Sequence, residues 1–162
     1  MKSSVTYISE EIPNAANNEE VASFLTEHWG SNNIVSCGKI TNASILPRII
    51  ARDESGKLVG LATYAIDEVS KSCELVSIDS IFEGRGIGSR LLEQIEMAAK
   101  KRYCIKVWLI TTNDNLKAAA FYVKHGYRLV DVHLDALDKS RELKPQIPKM
   151  GNNGIPLQDE WK

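Results

Sequence analysis

Three glycines at positions 84, 86 and 88 mark the first place in this sequence where chemistry can be expected. They follow the apolar run 75–81 directly and precede a strongly patterned helix. Because glycine has no Cβ atom, the backbone of such a turn can approach a ligand closely. The first N–H groups of the next helix lack an intrahelical acceptor and sit at the positive end of its dipole, which suits a phosphate or pyrophosphate. Arg85 and Arg90 could add charge-assisted contacts to the same anion.

Two better-known phosphate motifs do not fit this loop. A dinucleotide fingerprint needs G-x-G-x-x-G and an acid about 20 residues later, but Ser89 stands at the third glycine position and the next acid, Asp114, lies beyond the following strand. A P-loop needs Gly-Lys-Ser/Thr, which the sequence lacks. The three antiparallel strands predicted before the loop also disfavour a Rossmann unit. A purely structural turn stays open, because glycine is common in turns.

A second run of spaced residues follows about thirty residues further on. Its marked positions are Asn115, Ala118, Tyr122, Gly126 and Tyr127. The run lies on a predicted helix with an apolar stripe, and Gly126 is a suitable residue to end that helix.

Both runs resemble motifs of the GCN5-related N-acetyltransferase (GNAT) family. The first is similar to [Q/R]-x-x-G-x-[G/A], with Glu83 in place of Gln or Arg and Ser80 where proline is common, and the second matches N-x-x-A-x-x-x-Y-x-x-x-G-[FY] at every marked position. The resemblance covers roughly residues 58–132. It implies an α+β (mixed α/β) fold whose central, mostly antiparallel mixed sheet contains a splayed parallel strand pair and is flanked by helices. It also implies an acetyl-CoA-dependent N-acetyltransferase that transfers the acetyl group directly to a primary amine.

The resemblance further implies roles for individual residues. The pantetheine arm of acetyl-CoA would lie between the strand ending at Ile81 and the strand from Ile105. Backbone groups of two strand residues would meet the pantetheine and the thioester carbonyl, the loop would hold the pyrophosphate, and Asn115 would contact the cofactor near its thiol arm. Tyr122 would donate a proton to the departing thiolate. The cofactor-binding set is Ile78, Ser80, Glu83, Gly84, Arg85, Gly86, Ile87, Gly88, Ser89, Arg90 and Asn115.

These residue types suit acyl transfer. A thiolate with a pKa near 8.5 needs only a weak acid, and a tyrosine hydroxyl with a pKa of about 10 can serve, although a core-packed Tyr122 stays an alternative. The attacking amine must lose a proton. Glu74 is the first candidate for the general base, with Glu68 and Asp79 behind it, and water could serve equally. His28 and His133 are candidates by residue type only.

The remaining sequence predicts the elements that hold these residues. We expect a strand over 5–8, a helix from the Asn-rich stretch 14–18 to Gly30, a hairpin of 45–51 with 57–69, and strands over 73–81, 105–110 and 127–133. Strand, helix, strand around the glycines implies a parallel pair. The length of 162 residues fits one domain, predicted here as 1–140. The tail 141–162 is rich in proline and glycine, which excludes a central strand there but allows an edge strand near 157–161.

Composition limits the class of protein. A net charge of −1 argues against a basic face for nucleic acid, and the three scattered cysteines argue for reduced thiols without a metal site. Signal-peptide and membrane-span patterns are missing from the sequence. We therefore expect a cytoplasmic protein with a small-molecule or peptide amine as substrate, no metal, no nucleic-acid or membrane partner, and a homodimer left open. The alternative function is a non-catalytic acyl-CoA-sensing module.

Overall fold

The computed structural model of this protein describes residues 5–162, and the side chains of residues 8–162. The chain divides into two compact units. The first contains the chain up to residue 34 together with residues 42–108, and the second contains residues 35–41 together with residues 109–162. The single domain expected over residues 1–140, with its tail 141–162, stays a prediction.

Ten strands and four helices make up the described chain. In chain order they are β1 (Val5–Glu11), α1 (Ala15–Trp29), β2 (Asn33–Ser36), β3 (Lys39–Asn42), β4 (Arg48–Asp53), β5 (Leu58–Asp67), β6 (Ser72–Ser80), α2 (Ile87–Lys101), β7 (Lys106–Leu109), β8 (Thr111–Thr112), α3 (Leu116–Lys124), β9 (Val132–His133), α4 (Ala136–Leu143) and β10 (Glu160–Trp161). Short 3₁₀ turns lie at Ala43–Ile45 and Asn152–Gly154. Among residues 5–162, no helix has the length and apolarity needed to cross a membrane.

The first unit is built on a five-stranded sheet in the order β1-β4-β5-β6-β7. The neighbours from β1 to β6 are antiparallel, and β7 joins the edge of β6 after the helix α2, which gives a mixed sheet of antiparallel and parallel strands. The expected hairpin is present as β4 and β5, and the carboxylate of Asp53 holds its turn by accepting the backbone N–H groups of Ser55 and Lys57 at 2.9 and 3.0 Å. The predicted fold class is confirmed.

Helix α1 begins and ends where local signals place it. The Asn14 side chain caps its first turn by accepting from Ala16 N and Asn17 N at 2.9 and 3.1 Å. Gly30, with φ of 75°, ends the helix by donating its N–H to the Thr26 carbonyl at 2.9 Å. Both ends agree with the sequence prediction. Apolar residues of α1 then pack in one cluster with residues of β2, of the first 3₁₀ turn and of the sheet strands β4 and β5: Val21, Phe24, Leu25, Ile34, Ala43, Ile50, Leu58 and Leu61.

Helix α2 covers the opposite face of the sheet. Ile50 and Leu61 face α1, so their strand neighbours Ala51 and Gly60 point to the other side. There a Cβ atom added to Gly60 would stand 2.7 Å from Cγ2 of Ile87. The buried stripe of α2 contains the predicted residues Ile87, Leu91, Ile95, Ala98 and Ala99 and also Leu92.

Gly60→Ala is expected to lower the free energy of unfolding by about 1–3 kcal/mol, because the added methyl group overpacks the contact between β5 and α2. Urea denaturation measures this directly. In an Ile87→Ala background, most of the added loss should disappear, because the nearest atom, Cγ2 of Ile87, is gone and the next two, Cβ of Ala51 and Cδ1 of Leu91, lie at 3.2 Å. An equal loss in both backgrounds would contradict the overpacking explanation.

The second unit contains a small sheet in the order β8-β10-β9. Its middle strand comes from the C-terminal tail, with Glu160 opposite both Thr112 and His133. The expectation that the tail contributes only an edge strand is therefore wrong. The physical reason is that Glu160 and Trp161 follow the last proline, Pro156, so both keep the backbone N–H that a central strand needs.

Two further elements of this unit differ from the sequence prediction. The strand expected over 127–133 is reduced to β9, since Arg128 to Asp131 form no strand. Helix α4 was not predicted. It begins after Asp135, whose φ of 57° is left-handed, and it buries Leu137 and Ser140.

Candidate active site

The glycine loop has the backbone geometry that an anion site requires. Gly84 and Gly86 have φ of 70° and 75°, a region that other L-residues rarely adopt. A Cβ atom at either position would meet nothing within 4 Å, so conformation and not packing requires the glycines. Gly86 is the N-cap of α2, and none of the described side chains caps it by a hydrogen bond. Arg90 N donates to Gly86 O at 3.1 Å and starts the helical ladder, so the amides before it lie at the exposed positive end of the helix.

The side chains around the loop divide into exposed and buried groups. Glu83, Arg85 and Arg90 are exposed, and the Arg85 guanidinium lies 4.4 Å above the ring of Phe82. Ile87 is 1% exposed, so only its backbone can meet a ligand. An exposed backbone turn, a helix N-terminus and two arginines fit a pyrophosphate group, and Glu83 is the one loop residue with the wrong charge for it.

The strand before the loop carries the other residues predicted to meet the cofactor. Ile78 lies opposite Ala62 and Ser80 lies opposite Gly60, and both are half-buried. Just before them the register shifts, because Ser77 pairs with Thr63 while Leu75 pairs with Tyr64. Val76 is thus the extra residue of a β-bulge, a feature that bends strands and is frequent beside active sites.

Asp79 lies between Ile78 and Ser80 on β6, and its side chain points to the face of the sheet opposite to theirs. It is opposite Leu61, a member of the cluster that α1 covers. There the indole Nε1 of Trp29, the last residue of α1, donates to Oδ2 of Asp79. Burial raises the pKa of Asp79 to about 6, against the lowering effects of the Trp29 hydrogen bond and of the nearby His28. The pair is 50 positions apart in sequence, so no local pattern could have predicted it.

The other base candidates lie elsewhere. Glu74 is half-buried on β6 opposite Ala65, whereas Asp79 lies opposite Leu61, so the two carboxylates are about 13 Å apart along the sheet at a rise of about 3.3 Å per residue of β5. Glu68 is exposed in the turn after β5. His28 stacks on Phe24 with ring centroids 4.1 Å apart. His133 belongs to the second unit, where its buried Nε2 has no hydrogen-bond partner among the described atoms.

Asn115 and Tyr122 belong to the second unit. The Asn115 side chain caps α3 by accepting from Ala118 N at 3.1 Å. Tyr122 is half-buried, and its ring lies edge-on to Phe121 at 5.2 Å and tilted to Tyr127 at 5.8 Å. Helix α3 has no fully buried residue, so the ring of Tyr122 is not enclosed in a core. The residues predicted to form the site therefore come from both units: the loop and β6 from the first, Asn115 and Tyr122 from the second.

The C-terminal tail fixes the turn that leads into α3. Asn113 donates to Pro156 O at 2.8 Å and accepts from Gln158 N and Asp159 N at 3.0 Å. The buried Asp114 accepts from Thr112 Oγ1 at 2.6 Å and from Asn152 N at 2.8 Å. These bonds hold the start of the helix that carries Tyr122, a role for the tail that its composition did not indicate.

Comparison with known proteins gives the family. The family model "Acetyltransferase (GNAT) family" matches residues 15–127. The Bacillus subtilis (strain 168) protein YdhI is 44% identical over 137 residues, covering 85% of this chain and 84% of YdhI. YxbD of the same strain is 41% identical over 140 residues, covering 86% of this chain and 87% of YxbD.

Solved structures share the fold at low sequence identity. A Bacillus subtilis acetyltransferase in complex with CoA superposes with a TM-score of 0.66 at 17% identity, covering 96% of this chain and 95% of that one. Arabidopsis thaliana Naa50 in complex with the bisubstrate analogue CoA-Ac-MVNAL gives a TM-score of 0.66 at 15% identity, covering 96% of both chains. This chain belongs to the GNAT acetyltransferase family. Acetyl-CoA is the donor of that family, and the loop before α2 fits its pyrophosphate.

Proposed function

We propose that this protein is an acetyl-CoA-dependent N-acetyltransferase that transfers the acetyl group directly to a primary amine. The observation that carries the proposal is the glycine loop, whose two left-handed residues open an uncapped helix N-terminus. Family membership supports acetyl transfer in general. The peptide-bearing bisubstrate analogue bound to Naa50 supports an amine as acceptor.

In this proposal, each predicted residue does one task. Backbone groups of Ile78 and Ser80 hold the pantetheine arm and the thioester carbonyl, where a preorganised N–H stabilises developing charge on oxygen. The residues 83–90 hold the pyrophosphate. Asn115 meets the thiol arm, and the Tyr122 hydroxyl donates its proton to the departing sulfur. Glu74, the first candidate for the general base, stays a prediction.

A thermal-shift titration with acetyl-CoA, CoA, NAD and ATP tests the cofactor part of the proposal. A ligand that binds only the folded state stabilises it by about 2.7 kcal/mol at a hundredfold excess over Kd. We expect stabilisation by acetyl-CoA and CoA alone. A response to NAD or ATP instead would overturn the proposal.

Gly86→Ala is expected to weaken acetyl-CoA binding by about tenfold or more, because the methyl group covers backbone that the pyrophosphate must approach. Gly56→Ala is the matched control: Gly56 has φ of 82°, and its added Cβ also meets nothing within 4 Å. Both variants carry the same kind of left-handed strain, about 1–2 kcal/mol. Equal acetyl-CoA affinities of the two variants would show that the loop does not hold the cofactor.

Release of free thiol in the presence of amines separates the enzyme from a sensing module. An enzyme releases CoA only when an acceptor is present, whereas a sensor binds acetyl-CoA and releases none. A panel of amino acids, polyamines, aminoglycosides and peptides with free N-termini covers the acceptors that the sequence leaves open. Binding of acetyl-CoA without thiol release across that panel would favour the sensing module.

A further inference from the structure

Among the described residues, three carboxylates of the first unit have an arginine partner that Asp79 lacks. Glu10, Glu11 and Glu20 each form an ion pair with an arginine, namely Arg102, Arg48 and Arg52. Within the described part of the chain, Asp79 forms no such pair, and its hydrogen bond comes from the neutral indole of Trp29. A half-buried carboxylate without a cation is unfavourable, so the site is electrostatically incomplete.

The surroundings of Asp79 favour a cation. Trp29 is the last residue of α1, and the C-terminal end of a helix carries the negative end of its dipole. Trp29 is 42% exposed, so part of the residue can meet a ligand from solvent, and indole rings attract ammonium groups. From β5, the residue opposite Asp79 is the apolar Leu61. His28 on α1 is the titratable neighbour that acts on Asp79.

The position of Asp79 connects this cation site to the reaction. Its strand neighbours are Ile78 and Ser80, the two residues proposed to hold the thioester. A group bound at the Asp79 carboxylate would thus lie beside the strand segment along which the acyl donor binds. Glu74, about 13 Å further back along the sheet at a rise of about 3.3 Å per residue of β5, has no such neighbours.

We infer that Asp79, held in place by Trp29, binds the acceptor as an ammonium ion and removes its proton, so that the acceptors are aliphatic primary amines and not arylamines. The inference rests on the proposed acetyltransferase function and specifies its substrate class. Asp79 would be a catalytic residue, since it touches the reacting nitrogen, and Trp29 would be a positioning residue. Aliphatic ammonium groups have pKa values near 10, as lysine does, and must lose a proton before attack; arylamines are already neutral at pH 7.

The protons and bonds of this step balance. The ammonium gives one proton to the Asp79 carboxylate and becomes a neutral amine. The amine nitrogen forms a bond to the thioester carbon, the carbon–sulfur bond breaks, and the sulfur takes the Tyr122 proton. The nitrogen loses its second proton as the amide forms, and this proton returns to Tyr122 through water. Asp79 then releases its proton to solvent, so each turnover yields one amide, one thiol and one proton.

The kinetic test compares Asp79→Asn with Asp67→Asn, the same carboxylate-to-amide change at an exposed residue of β5 that has no part in the proposed site. The acceptors are the aliphatic panel above together with 2-phenylethylamine, and aniline is the arylamine. We expect Asp79→Asn to lower kcat/KM for the aliphatic acceptor by about 100-fold or more and Asp67→Asn to leave it within about threefold of wild type, a change too small for the loss of a general base. Acetyl-CoA should stabilise all three proteins equally. An unchanged rate in Asp79→Asn, or faster turnover of aniline than of any aliphatic amine, would overturn the inference.

The dependence on pH gives a readout that a structural role would not move. With wild type, kcat/KM should rise with one ionisation near pH 6, the pKa to which burial raises Asp79. Trp29→Phe removes the hydrogen bond that lowers this pKa, so the inflection should move to higher pH. The raised pKa means that ionisation of Asp79 lowers the stability of the folded wild-type protein as pH rises through 6. An amide does not ionise, so at pH 7 we expect the unfolding temperature of Asp79→Asn to equal or exceed that of wild type. If Asp79→Asn is inactive but as stable as wild type, its loss of activity is not caused by misfolding.

A binding measurement makes the test independent of turnover. The indole N–H resonance of Trp29, assigned with Trp29→Phe, reports the ionisation of its partner Asp79 as pH changes. Saturating 2-phenylethylammonium should move this inflection to lower pH, because a bound cation favours the carboxylate. An inflection that stays in place would overturn the inference even if no acceptor is turned over. The proposed function would fail separately, by the lack of stabilisation with acetyl-CoA.

Discussion

Tyr122→Phe is expected to lower kcat by about 100- to 10,000-fold, the range of a general acid. The affinity for acetyl-CoA should stay within about twofold of wild type, because a hydroxyl that acts only in the transfer step does not contribute to ground-state binding. The phenylalanine keeps the ring contacts with Phe121 and Tyr127, so the change removes the hydroxyl and little else. Steady-state rates by thiol release give kcat, and the thermal shift gives cofactor affinity.

Tyr127→Phe is the matched control for this prediction. Its ring lies 5.8 Å from that of Tyr122, it belongs to the same unit, and it loses the same atom. We expect its kcat to stay within about twofold of wild type, since the motif gives its hydroxyl no part in proton transfer. Equal losses in the two variants would mean that Tyr122 is not the acid and that its hydroxyl acts only in packing.

Arg48→Ala is expected to lower the free energy of unfolding by about 3–5 kcal/mol, the effect of removing one partner of a buried ion pair. Arg48 is 0% exposed. Its guanidinium pairs with Glu11 at 2.8 Å, donates to Asn18 Oδ1 at 3.2 Å and Ser44 O at 3.0 Å, and also donates to Asn17 Oδ1. One side chain thus joins β1, the start of α1 and the turn before β4, and its removal leaves several acceptors without a donor.

Arg52→Ala provides the comparison within the same strand. Arg52 also forms an ion pair, with Glu20 at 2.7 Å, but its side chain is 26% exposed and that of Glu20 is 45% exposed. Exposed pairs contribute about 0–1 kcal/mol. Chemical denaturation of both variants should therefore separate them by at least about 2 kcal/mol, the gap between the buried and the exposed range. Similar losses would show that Arg48 contributes no more than a surface charge.

Features with local causes were predictable from the sequence. Asn14 and Gly30 bound α1 because a side chain and a left-handed residue act on the nearest turn. Gly86 opens α2, and Gly126, with φ of 87°, follows the end of α3. The stripe of α2 was readable because its period is that of the helix itself.

Features that depend on distant partners were not predictable. Arg48 gives no sequence sign of burial, because its acceptors lie on three other segments. The hydrogen bond from Trp29 to Asp79, on which our inference about the base rests, became visible only once α1 was placed over β6. Helix α4 begins at a left-handed aspartate, which is a rare conformation that residue type only weakly favours.

The middle strand of the small sheet also determines the order in which the second unit can fold. β8 and β9 do not pair with each other. Among the described strands, each pairs only with β10, whose residue 161 lies opposite residues 111 and 132, so neither can join the sheet before β10 is in place. Closing such long loops costs conformational entropy before the strand contacts form and stabilise the closed chain, so non-local strand pairing is slow. The turn before α3 is held by the same tail. The helix that carries Tyr122 should therefore reach its final position late, after the first unit, whose strands β4, β5 and β6 follow one another along the chain, has already formed.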